Sequence, residues 1–291
     1  MDSNKEAEVI IEEALSKGTY PVANLDMFKS IKNITLTDKT LRQLTITKEL
    51  LEEYFGTIHS LGNKSNEYLE SIKFKSAYFP TKKSTDKNKE ESINKLISLI
   101  QNRQKITPND LKEIHELLLD GVVSKDQIYL RDNNSIYVGA PSENGRRIDY
   151  IPIDYHHIKE AMNIIIDIYN TYISNSSKED IFIIPIIIHG LFASLQMFHD
   201  GNARIGRLMQ NTLMWHLINE NTEYQFDNPA IYSNPNNSYR GEYRKLIVDL
   251  VTKNDNESWN NWIIFNLRRI EDQIFENNIQ IENMMRNINR R

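Results

Sequence analysis

The residues of this 291-residue chain best suited to chemistry lie in one run, Gln196-Met-Phe-His-Asp-Gly-Asn-Ala-Arg-Ile-Gly-Arg207. It holds a carboxylate (Asp200), a glycine (Gly201), a carboxamide (Asn202) and two guanidiniums (Arg204, Arg207). A long apolar pattern ends here and a second helical pattern, Ala203–Glu220, begins at once, so the cluster sits at a helix-to-helix turn. Gly201 allows the tight turn, and Asn202 suits an N-cap. The first amides of the second helix have no intrahelical acceptors and sit at the positive end of its dipole. Arg204 and Arg207, three apart, share a face near that end. Such an end is a site for a phosphate chain, and Asp200 adds a hard oxygen suited to magnesium bridging phosphates. Any one of these residues alone reads as part of a polar turn or a surface ion pair. All five converging on one turn read as an anion site.

Helical periodicity dominates the elements that must hold this turn. Amphipathic stripes run over Glu6–Leu15, Thr40–Leu61 and Asn66–Ser76, and a polar, lysine-rich connector follows at Pro80–Glu91. Helix resumes at Ser92–Arg103, and Thr107 with Pro108 marks the N-terminus of Asn109–Leu119. Ile136, Tyr137 and Val138 are β-formers, Pro141–Arg146 is turn-rich, and Arg147–Ile153 alternates again, which predicts a short hairpin. Further helices are expected at Tyr155–Ser174, Lys178–Met197, Ser238–Val251 and Ser258–Met285. The expected fold is therefore mostly α with one hairpin. It divides into an N-terminal helical, regulatory region (1–91), a core (92–270) and a C-terminal helix (271–291).

Composition narrows the function classes. Hydrophobic residues make up 40% and charged residues 26%, as in an ordinary globular protein. A net charge of −5 argues against a nucleic-acid binder. The absence of cysteine removes disulfides, thiolate zinc sites and a thiol nucleophile, and none of the seven histidines has metal-ligand spacing with another. The acidic start lacks a secretory pattern, and the apolar stretch Ile181–Phe198 is too short and too interrupted to span a bilayer. The reading is a cytoplasmic protein with no membrane partner. The abundance of Ile, Asn and Lys fits an AT-rich bacterial genome, and delivery as a secreted effector is compatible with it.

The run at 196–207 resembles the loop of the Fic family, H-P-F-x-[D/E]-G-N-[G/K]-R-x-x-R. Phe198, Asp200, Gly201, Asn202, Arg204 and Arg207 match in register. His189 and Phe192 on the preceding helix, Ile114-His115, Arg131 with Ile136–Gly139, Tyr232-Ser233, Tyr239-Arg240, Tyr243, Trp259, Trp262 and Phe265 extend the likeness over about residues 106–270. The resemblance implies a Fic-type helical bundle that transfers AMP from ATP, with Mg2+, to a Ser, Thr or Tyr hydroxyl of a target protein. It implies that Asp200 holds the metal and that Asn202 contacts the α-phosphate. Arg204 and Arg207 would take the β- and γ-phosphates, with the turn at Gly201 and Ala203 lining the nucleotide. The hairpin from Ile136, Tyr137 and Val138 would align the target by strand addition. A homo-oligomer is compatible with all of this.

Three positions depart from the family. Gln196 falls on the catalytic histidine, the general base, and an amide has no accessible pKa for that proton; general-base catalysis is typically worth ~10²–10⁴-fold. His199, at the variable position, is the alternative base, with a capping or solvent-facing role as its other reading. Met197 replaces the family proline. Ala203 stands where the family has Gly or Lys, and it leaves the transferred group open. Many family members carry an inhibitory glutamate in [S/T]-x-x-x-E-[G/N]. Glu70 in Asn66–Ile72 resembles it, with Glu282 in Asn278–Asn283 as the alternative. Two functions stay open: an impaired or restrained protein adenylyltransferase, and an inactive ATP-binding module acting through protein interaction.

Overall fold

The computed structural model describes residues 3–62, 86–102, 105–124, 128–142, 145–175, 181–221 and 239–288. Ten helices and one antiparallel hairpin are found among them. Three helices come first: α1 (Ser3–Lys17), α2 (Asp26–Lys32) and α3 (Asp38–Ser60). α4 (Asp86–Gln101) and α5 (Pro108–Leu119) precede the hairpin β1 (Val138–Ser142) and β2 (Gly145–Tyr150). After a short 3₁₀ turn come α6 (Ile158–Asn175), α7 (Ile183–Leu195), α8 (Asn202–Asn221), α9 (Arg240–Thr252) and α10 (Asn256–Ile288). No helix among the described residues is long and apolar enough to cross a membrane.

α7 is the centre of the molecule because it is apolar on every side. All its residues except Ile184 are buried, including His189 and Ser194, as expected of a helix enclosed by others. Pro185 lies in its first turn, where a missing N–H costs no helical bond. α8 packs on α7 at close range. A methyl group on Gly206 would come within 2.9 Å of His189 Cδ2 and 3.1 Å of the Phe192 Cβ, so this crossing requires glycine.

α3 lies along α10 and joins the two ends of the chain through buried polar contacts. Thr40 Oγ1 donates to Asn260 Oδ1 (2.5 Å), and Asn277 Nδ2 donates to Tyr54 Oη (3.0 Å). One hydrophobic cluster extends from Ala23 to Ile281. The boundaries expected at 91/92 and 270/271 fall inside α4 and α10, so neither separates elements.

Local signals place several elements as expected. Thr107 and Asp110 form a reciprocal capping box at α5, with Pro108 in its first turn. In the hairpin, Ser142 faces Gly145 and Ala140 faces Arg147. Ile136 and Tyr137 lie just before β1, whose register with β2 starts at Val138. α7 ends at Leu195, earlier than its apolar composition predicts, because Gln196 turns left-handed (φ 51°). The expected Asn66–Ser76 helix lies outside the described residues.

Candidate functional site

The loop between α7 and α8 is built as a short strand. His199 N–H donates to Tyr129 O (3.3 Å) and Arg131 N–H to Met197 O (3.0 Å), so 129–131 and 197–199 run antiparallel. Buried Arg131 completes the join. Its Nε donates to Gln196 O (2.7 Å), Nη1 to Asn133 O (3.1 Å) and Nη2 to Ile153 O. Burial pulls its pKa down to about 10, which leaves it charged at neutral pH. Five donors in a rigid fork suit this arrangement of carbonyls.

His115 supports the loop from α5. Its ring stacks on Phe198, with centroids 3.7 Å apart, and its Nε2 lies 2.8 Å from Asp200 O. A carbonyl can only accept, so Nε2 carries the hydrogen. Burial lowers this pKa to about 4, which keeps the ring neutral. Gly201 follows at φ 82°, and a Cβ there would meet Leu119 Cδ1 at 2.7 Å and His115 Nε2 at 2.9 Å. The glycine is required both by its left-handed φ and by the approach of α5.

Gly201, not Asn202, caps α8: its carbonyl takes the first helical bonds, from Arg204 and Ile205. Asn202 instead folds back on Phe198, accepting its N–H (2.8 Å) and donating to its carbonyl (2.8 Å). The N-cap expectation fails because the buried N–H and carbonyl of Phe198 compete for the same carboxamide. Asp200 accepts from Gly201 N–H (2.5 Å) and pairs with Arg204 Nη2 (3.2 Å). Arg204 Nη1 is buried and finds no hydrogen-bond acceptor among the described residues. Asp200 is 45% exposed where Arg204 is 14% exposed, so the carboxylate is open on the side away from the guanidinium.

Arg207 does not share the surroundings of Arg204. It is buried beside His189 and hydrogen-bonds Tyr243. His189 is a satisfied core histidine, with Nδ1 on Gln210 Oε1 (2.7 Å) and Nε2 on Tyr243 Oη (3.0 Å). Burial, helped by the charge of Arg207, lowers its pKa to about 3. Gln196 is tied by its side chain: Nε2 donates to Ala193 O (2.6 Å) and Oε1 accepts from Asn202 Nδ2 (3.0 Å). His199 Nε2 faces Asp132 Oδ1 at 3.7 Å. Glu282 is exposed on α10 and pairs with Arg286 (3.3 Å), one turn on. Glu70, Tyr232 and Ser233 lie outside the described residues.

The hairpin stands over this loop on anchors that no motif announced. Tyr150, buried at the end of β2, donates to Ala193 O (3.3 Å), and burial pushes its pKa up. Asp149 accepts from Arg147 Nε (2.9 Å) and from Arg244 Nε (3.0 Å) and Nη2 (2.5 Å) on α9. Ile151 is bridged by Val22, through Ile151 N–H to Pro21 O and Ala23 N–H to Ile151 O, both 2.9 Å. Ile11 and Ala14 of α1 cover that bridge. A cleft of about 420 Å3 lined by Pro108, Asn109, Lys112, Leu130, Lys159 and Met162 contains none of the expected site residues.

No group of three or more His, Asp or Glu among the described residues could hold a metal alone. Asp200 by itself fits magnesium, which keeps waters and takes one or two carboxylates together with substrate phosphates.

Residues 105–214 match the model of the Fic/DOC family. Among solved structures the chain is similar to a Fic family protein from Desulfovibrio desulfuricans G20, at 14% identity, covering 83% of this chain and 74% of that one with a TM-score of 0.48. It is also similar to a Fic domain containing signaling protein from Bacteroides thetaiotaomicron (15% identity, 87% and 96% covered, TM-score 0.47). Fic-1 from C. elegans is a third such structure (16% identity, 88% and 69% covered, TM-score 0.45). No curated protein is matched by the sequence.

Proposed function

With a Fic/DOC domain at residues 105–214 as the premise, we propose that the chain is a Fic-type nucleotidyltransferase impaired at its base. It takes ATP with magnesium at the 196–207 loop and presents the α-phosphate to a Ser, Thr or Tyr hydroxyl of a protein docked at the hairpin. The observation that carries this reading is Arg204 Nη1, a buried donor without an acceptor among the described residues, beside the N-terminus of α8. A polyphosphate satisfies both.

In this reading the Gly201–Ala203 turn lets the phosphates reach the α8 amides, and Asn202 contacts the α-phosphate. Arg204 takes the terminal phosphates, Arg207 joins it only by leaving Tyr243, and Asp200 holds the metal. Magnesium, when bound, neutralises phosphate charge as pyrophosphate leaves. The acceptor oxygen bonds to the α-phosphorus, the α–β bridging bond breaks, and the hydroxyl proton must go to a base. Gln196 cannot take that proton. What is left to the site is positioning and charge stabilisation.

A second reading, an ATP-binding module without transfer, is favoured by the same residue. The Gln196 carboxamide is held by Ala193 and Asn202, with Tyr150 also beside it, and it has no pKa at which it could take a hydroxyl proton. Labelled ATP with magnesium and bacterial lysate, added to wild type and to Gln196→His, separates the readings. Label on protein only with Gln196→His supports the impaired transferase. Label with both points to His199 as the base. Bound nucleotide with no label in either supports the binding module. Neither label nor bound nucleotide would sink both readings.

A further inference from the structure

Gln196 and Asn202 bind each other across the loop, and backbone partners fix the direction of every bond in the pair. Phe198 N–H can only donate, so Asn202 Oδ1 faces it, and Phe198 C=O can only accept, so Nδ2 faces that. Ala193 C=O likewise takes Gln196 Nε2, which turns Gln196 Oε1 toward Asn202 Nδ2. A carboxamide nitrogen carries two hydrogens. Those of Asn202 go to Phe198 O and Gln196 Oε1, which leaves none for a ligand.

We propose that Gln196 is a specificity-determining residue that competes with phosphate for the Asn202 amide. The proposal rests on reading the loop as a polyphosphate site. A phosphate oxygen at the first turn of α8 gains the second Asn202 hydrogen only when the Gln196 carboxamide swings away. The contrast with Arg204 is the reason: one of its nitrogens waits for an acceptor, whereas the Asn202 nitrogen is saturated.

The main chain of Gln196 cannot retreat. It sits left-handed at φ 51°, uncommon for a residue with a side chain, and Arg131 grips its carbonyl at 2.7 Å. The side chain is half-buried. Affinity for the phosphate chain is therefore reduced by the cost of breaking the Gln196 bonds to Ala193 and Asn202, of which the phosphate replaces only the second. Phe198 alone still orients Asn202 once Gln196 is gone, so removing Gln196 frees a donor without loosening it.

Calorimetric titration with inorganic pyrophosphate and with ATP, both without metal, tests this on wild type, Gln196→Gly, Asn202→Ser and the double variant. Glycine is at ease in the left-handed conformation, so the first variant keeps its fold. Gln196→Leu, with bulk but no acceptor atom, separates the lost bond from any space opened. Both Gln196 variants should bind several-fold to about tenfold more tightly, the worth of one hydrogen bond. The gain should vanish in the Asn202→Ser background, as in a double-mutant cycle of coupled residues. Equal or weaker binding by Gln196→Gly, or the same gain without Asn202, overturns the competition while leaving the site intact. No binding by any of the proteins overturns the polyphosphate reading together with it.

Discussion

Arg131 Nε lies 2.7 Å from the carbonyl oxygen of Gln196, 65 residues away in sequence. The same guanidinium holds the carbonyls of Asn133 and Ile153, so one buried cation joins the loop, the entry to the hairpin and its exit. Removing it leaves three carbonyls without their charged donor. Arg131→Ala should cost on the order of 3 kcal/mol or more, and Arg131→Lys should not rescue it, because an ammonium cannot reproduce the fork. Chemical denaturation of the two variants checks this. Retention of wild-type stability by Arg131→Lys would refute the fork.

Stability should depend on pH through His115. The folded ring titrates at about 4 because burial disfavours its charged form, while an unfolded histidine titrates near ~6.5. As pH falls below about 6.5 the unfolded chain gains a proton that the folded one refuses, so stability is full above that pH and drains away towards pH 4. The loss is on the order of 3 kcal/mol. His189, held to about 3 by burial, adds in the same direction. Urea midpoints across this range should fall, and they should fall less steeply in His115→Gln.

Gly201→Ala should damage both fold and site. The methyl would sit in a left-handed conformation at φ 82° and press on Leu119 and His115. A cost of about 1–3 kcal/mol follows from such strain, with pyrophosphate binding lost because the α8 amides shift. Thermal unfolding alongside titration reads both, and unchanged affinity in a folded Gly201→Ala protein would contradict the assignment.

Asp200 pairs with Arg204, and in the proposed site this pairing competes with a phosphate for the guanidinium. Asp200→Asn should tighten metal-free pyrophosphate binding by freeing the guanidinium now paired at 3.2 Å. The same variant should lose any further gain when magnesium is added. Titrations with and without the metal measure the two effects separately.

The hairpin should depend on its tie to α9. Arg244→Ala removes two of the three donors to the mostly buried Asp149. Amide exchange across Val138–Tyr150 should accelerate while pyrophosphate affinity holds. Unchanged exchange there would show that Tyr150 and the Val22 bridge suffice.

Much of this was legible in the sequence because it is local. Helical periodicity, the Thr107–Asp110 cap and the order Asp200-Gly201-Asn202-Ala203-Arg204 depend on neighbours a few residues away, and the structure places α5, α7 and α8 where those signals lie. What the order of residues could not state is which atoms face each other. Asn202 reads as a cap for α8 but is drawn back to Phe198, because Gly201 already starts the helix and the 129–131 strand holds Phe198 in place. Arg204 and Arg207 read as one pair, yet the packing of α9 puts Arg207 against Tyr243 and leaves Arg204 with Asp200. The grip of Arg131 on Gln196 and of Arg244 on Asp149 spans 65 and 95 residues. Such contacts carry no periodicity, and only the folded chain, by excluding water from these polar groups, decides which partners they must find.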